Sequence, residues 1–135
     1  MRARLALQAT NTQCELREIV LRDKPESMLL LSPKGTVPVL KCADNQVIDE
    51  SLDIMLWALR AADSHPWLSP EGAELGDALQ LVERTEVEFK CHLDNYKYVQ
   101  PGQEEQSLAH RGLASDFLKE LDERLGRGQR LFGDR

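Results

Sequence analysis

A proline stands in the middle of the run Thr36-Val37-Pro38-Val39-Leu40, which otherwise reads as a β-strand. Proline has no N–H to give to a ladder, so a strand containing it must present that edge to something other than another strand. A cis bond at Val37–Pro38 turns the carbonyl and N–H of Val37 outward. An extended peptide can then pair with them, as a strand adds to an open sheet edge. An ordinary edge-strand proline accounts for the same five residues.

Twelve residues further on comes Asp49-Glu50-Ser51, at the head of an apolar helix. The free N–H groups and positive dipole end of a helix N-terminus favour a carboxylate. Ser51 adds a hydroxyl donor, and Glu50 adds an anion suited to an amine. Simple capping by Asp49 or Ser51 is the alternative. A hairpin over Ala43–Gln46, with Val47-Ile48 as the antiparallel partner strand, brings the strand edge and the helix start together. One short, extended, zwitterionic peptide fits across both.

The remaining elements follow from period and breakers. Residues 1–10 read as a helix with Leu5 and Ala9 on the face of Met1, and no N-cap residue precedes it. Cys14–Leu21 alternates and reads as a strand, and Glu26–Leu31 as a short helix after Pro25. Leu52–Ala62 is apolar on nearly every side, so this helix is expected to be buried. Pro66 and Pro70 mark a linker over 64–71 between a first domain, 1–63, and a second, 72–135. In the second, Leu75, Leu79, Val82, Phe89, Leu93 and Tyr96 stripe a long helix interrupted only by Glu86. After Pro101-Gly102, a further helix spans roughly 103–125, striped by Ala114, Phe117, Leu118, Leu121 and Leu125. The order is helix, strand, helix, strand, strand, helix, then helices. One strand placed in front makes the first part a thioredoxin-like β-α-β-α-β-β-α unit.

Composition narrows the function. The net charge of −6 argues against nucleic acid, which needs clustered Lys and Arg. The apolar runs are too short to span a membrane, and Gln8, Thr10 and Asn11 stand where a signal peptide has its apolar core. The three cysteines, 14, 42 and 91, form no CxxC pair and no zinc-spaced cluster, so no metal is expected and a reducing cytoplasm is the simplest compartment. A buried or half-buried hydrophobic role suits each. Thiol activation is favoured at a helix N-terminus or beside a cation, whereas Cys14 is expected at a strand start, Cys42 at a strand end and Cys91 inside the long helix, so catalysis is assigned to none of them. Cys91 and His92 are adjacent on a helix and point about 100° apart.

Lys24-Pro25, Ser32-Pro33-Lys34-Gly35-Thr36-Val37-Pro38-Val39-Leu40 and Ile48-Asp49-Glu50-Ser51 together resemble the glutathione-binding segments of the cytosolic glutathione S-transferases. The omega-like and bacterial cysteine-type classes are the most similar. The resemblance implies a thioredoxin-like α/β domain followed by an all-α domain. It implies that Val37 pairs through its backbone with the cysteinyl part of glutathione beside cis Pro38. Glu50 and Ser51 then hold the γ-glutamyl end, and Lys24 lies near the glycine carboxylate. It also implies glutathione as co-substrate, a small electrophile or disulfide as second substrate, and a homodimer. His92, Tyr96 and Tyr98 are candidates for the electrophile pocket, with helix packing as the alternative.

Against the family pattern, the chain starts at the helix that follows a first strand and a catalytic Cys-Pro turn, and it ends before the later C-terminal helices. No catalytic residue is therefore assigned. The strand and nucleophile are expected upstream of Met1. A non-catalytic glutathione-binding or interaction module is the competing reading.

Overall fold

The computed structural model describes residues 1–62, 67–68, 74–128 and 130–132. Apart from Trp67 and Leu68, the expected linker lies outside them. The chain divides into two compact units, Met1–Leu68 and Ser69–Arg135.

The first unit is built on helix α1 (Arg2–Ala9) packed against helix α3 (Ser51–Ala61). Ala6, Ala58 and Leu59 form the centre of that contact, with Leu7, Met55, Trp57 and Leu68 packed around it. Alanines at the crossing let the two backbones approach closely. The buried side of α1 therefore runs through Ala3 and Ala6. Met1 and Leu5 are 92% and 55% exposed, so the face expected from Met1, Leu5 and Ala9 is not the one that packs. On α3, Ile54, Leu56, Ala58 and Leu59 are buried, while Asp53 and Arg60 face out, so the helix is less enclosed than its composition suggests. Burying Ile54 stabilises the unit by roughly 1.5–3 kcal/mol.

Along the chain, α2 (Glu26–Leu31) and a two-stranded antiparallel hairpin come between these helices. Its strands are β1 (Leu40–Lys41) and β2 (Val47–Ile48), with Leu40 opposite Ile48 and Lys41 opposite Val47. Asn45, at φ +68, makes the turn. Two expectations fail here. The strand expected over 36–41 forms only at Leu40–Lys41. The strand expected over 14–21 does not form; the segment has only an isolated bridge between Val20 and Asp23, and Leu16, Val20 and Leu21 are exposed. Alternation gives a chain two faces, but a strand exists only where a partner completes its ladder.

The second unit is helical. The stripe expected over 75–96 forms as α4 (Leu75–Arg84), a π-helical turn (Thr85–Phe89) and α5 (Lys90–Lys97). The backbone stays helical through both junctions. The Thr85 hydroxyl donates to the Leu81 carbonyl at 2.7 Å immediately before the π turn. A π turn carries an extra residue, and Glu86, the polar break in the stripe, lies inside it. Leu81 is the buried residue of α4. Helix α6 (Glu104–Gly128) packs on α5 and on the π turn. Phe89 stacks on Phe117 with ring centroids 5.6 Å apart. The Arg84 guanidinium lies over the Phe117 ring and grips Glu120 with both terminal nitrogens, at 2.8 and 2.7 Å. The buried Ser107 hydroxyl donates to the Tyr96 carbonyl at 3.1 Å. Among the described residues, no helix is long and apolar enough to cross a membrane.

Candidate functional site

Ser32-Pro33-Lys34-Gly35 forms a tight turn, closed by the Gly35 N–H donating to the Ser32 carbonyl at 2.9 Å. Proline at the second position and glycine at the fourth suit such a turn. Gly35 has φ +63, a conformation glycine adopts without penalty. A side chain there would also press on Leu29, since its Cβ would lie 3.3 Å from Leu29 Cδ2. The Lys24 amine lies 3.7 Å from that same Cβ position, so Lys24 sits against this turn. Ser32 is 1% exposed, and its hydroxyl donates to Asp49 Oδ2 at 2.6 Å. This bond ties the turn to the entrance of α3.

At that entrance Glu50 is extended, with φ −110 and ψ 131, and its side chain makes no capping bond. The first helical bond runs from the Ile54 N–H to the Glu50 carbonyl, at 3.0 Å. Capping by Asp49 is excluded because its carboxylate takes the Ser32 hydroxyl and Glu50 holds the cap position. Ser51 opens the helix, and its hydroxyl accepts a bond from Arg2 Nε at 2.9 Å. The Glu50 carboxylate forms an ion pair with Lys34, at the tip of the turn. Asp53, also in the first turn, complements the helix dipole from the outer side.

Val37–Pro38 is cis, and Val37 is 49% exposed. The β1–β2 ladder ends at Leu40 and Ile48. Val37 and Pro38 precede β1, and Glu50 and Ser51 follow β2, so the hairpin returns the chain from one pair toward the other. Of the residues singled out from sequence, Lys24 and Glu50 lie against the Ser32–Gly35 turn, and Ser51 follows Glu50 at the start of α3. The sequence reading passed over Lys34 and Arg2. The turn itself was legible in Ser-Pro-Lys-Gly, but its tip partner depends on a tertiary contact.

Chemically, the assembly offers a helix N-terminus and a hydroxyl for a carboxylate, and a carboxylate for an ammonium. An exposed backbone segment beside them suits an extended peptide. Cys14 and Cys91 are exposed, and burial together with the Asp44 carboxylate pushes the Cys42 thiol up, away from the thiolate. In the second unit, the His92 and His110 Nδ1 atoms lie 3.0 Å apart. Tyr96 faces the Arg111 guanidinium, and Tyr98 faces the Lys97 amine. Tyr98 is nevertheless 70% exposed.

Residues 1–84 match the sequence profile of the glutathione S-transferase N-terminal domain. Among solved structures, a glutathione transferase of Methylococcus capsulatus strain Bath is 27% identical, with a TM-score of 0.77 over 99% of this chain and 68% of its own. BphK, a bacterial glutathione S-transferase solved as a ternary complex, is 19% identical, with a TM-score of 0.77 over 99% and 69%. A sphingomonad glutathione S-transferase complexed with glutathione is 20% identical, with a TM-score of 0.75 over 99% and 69%. No curated protein matches the chain. The α/β unit with its small sheet is thus a thioredoxin-like domain, and the helical region follows it as in these structures.

Proposed function

Because the chain belongs to the glutathione S-transferase family, we propose that it binds glutathione at the amino terminus of α3 and serves glutathione-dependent conjugation or thiol exchange. The observation that carries this reading is the contact set at that terminus. Glu50 and Ser51 open the helix, the Ser32–Gly35 turn is tied to it through Asp49, and Lys24 lies on the turn. The γ-glutamyl carboxylate lies on the helix N-terminus and the Ser51 hydroxyl, and the ammonium lies against Glu50. The cysteinyl backbone lies along Val37, next to Pro38. The glycine carboxylate lies toward Lys24. Each assignment matches a charge or donor of the peptide to one at the site.

The reacting nucleophile is the thiol of glutathione itself, and its partner is a small electrophile or a disulfide. No catalytic role is given to Cys14, Cys42 or Cys91. The competing reading is a glutathione-binding or interaction module without turnover. A homodimer and a cytoplasmic setting complete the proposal.

Isothermal titration of the chain with glutathione tests the site. Binding should weaken about tenfold or more in Ser51→Ala and Glu50→Gln, since each removes a charge-assisted or ionic contact. Unchanged affinity in both variants refutes the assignment. Turnover of a disulfide or electrophile by the same sample separates the enzyme from the module.

A further inference from the structure

We infer that Lys34 is a built-in competitor for the ammonium-binding carboxylate, so that the site admits an amine-bearing ligand only by partner exchange at Glu50. This rests on the glutathione-binding reading above and extends it to how the site selects its ligand. Lys34 projects from the tip of a turn whose base is held in place. Ser32 is buried and bonded to Asp49, Pro33 fixes its own φ, and Gly35 closes the turn by its N–H. The turn thus holds the lysine stem beside the α3 entrance, while the amine at its end is free to move on a flexible chain. That amine is paired with the Glu50 carboxylate. Glu50 makes no capping bond to anchor it elsewhere. Its carboxylate is the anion that an incoming ammonium needs.

Both partners are well exposed, with Lys34 and Glu50 side chains 46% and 55% accessible. An exposed pair of this kind is weak and screened by salt. It is therefore breakable by a ligand ammonium, but it still opposes binding. A ligand without an amine has no reason to break it. Lys24 lies beside Gly35 of the same turn and, on this reading, meets a carboxylate, so the two lysines of this region have different tasks.

The test compares wild type, Lys34→Met, Glu50→Gln and the double variant by titration. The ligands are glutathione and its des-amino analogue, glutaryl-cysteinyl-glycine. Lys34→Met should tighten glutathione about twofold to fivefold at low salt, the range an exposed pair spans. The gain should shrink at high salt, be absent for the des-amino peptide, and vanish on the Glu50→Gln background. Lys34→Met that weakens glutathione, or leaves it unchanged while Ser51→Ala and Glu50→Gln weaken it, overturns the competition and spares the binding site. Wild type and all variants alike failing to bind glutathione overturns the site and the competition together. Thermal melts of the variants, expected within a degree or two of wild type for exposed substitutions, show that the differences arise in the folded protein.

Discussion

The two units of this chain are held together by different means. In the first, small residues dominate the helix contact: Ala6 and Ala58 let α1 and α3 approach, and the hairpin has two residues on each strand. In the second, long helices close on large and charged groups. Phe89 stacks on Phe117, and Arg84 covers that ring while gripping Glu120. The first unit leaves Leu16, Val20, Leu21 and Val37 exposed, and the candidate site lies in this lightly packed part. A helix satisfies its backbone within itself, whereas an extended segment needs a neighbour. The helices of the second unit therefore satisfy most of their backbone internally, whereas the first unit has described segments, such as 14–19 and 36–39, outside any helix or ladder.

The largest expected effects come from truncating the core of each unit. Phe117→Ala should lose about 3–5 kcal/mol, because it removes the stack on Phe89 and the surface beneath Arg84. Ile54→Ala, 1% exposed in α3, should lose about 2–5 kcal/mol. Denaturant unfolding measures both. A loss under 1 kcal/mol at Phe117 would mean that the ion pairs, not the rings, hold the helices.

Acid should act on the helical unit. The Arg84 guanidinium, with Arg124 beside it, holds the Glu120 carboxyl down at about 2, from an ordinary 4.5. A carboxyl depressed on folding contributes stability that is present above its unfolded value. That contribution is lost as pH falls through the folded value. Melting temperature should therefore fall between about pH 4.5 and 2, and Glu120→Gln should flatten the fall. Glu104, depressed by backbone N–H groups, adds a smaller part, and the exposed Glu15–Arg17 pair adds little. An unchanged slope in Glu120→Gln would show that the Arg84 grip is not formed in solution.

The smallest effect is expected where the sequence most suggested a strand. Leu16→Ser should change stability by less than about 0.5 kcal/mol, since Leu16 is exposed and outside any ladder. A loss of 2 kcal/mol or more would show that this segment is buried as an interior strand would be.

That contrast also explains what could be read in advance. The helices were legible because their signals are local: Pro25 before α2, the apolar run of α3, the stripes of α4 to α6. The π turn left only the polar break at Glu86 as a sign of itself. Segment 14–21 misled because alternation records which residues can face a core, not whether a partner strand is present. At the site, Glu50 and Ser51 were legible from the helix start and Val37-Pro38 from the interrupted strand. Lys34 and Arg2 were not, because their partners lie sixteen and forty-nine residues away, and no periodicity links them.

Amide chemical shifts followed during a glutathione titration test the assignment of the ligand to the α/β unit most directly. Shifts should concentrate at Lys24, Lys34–Val37 and Glu50–Asp53, with α4 to α6 left nearly unmoved. Shifts clustering instead on α5 and α6, around His92, Tyr96 and His110, would contradict a glutathione site at the amino terminus of α3.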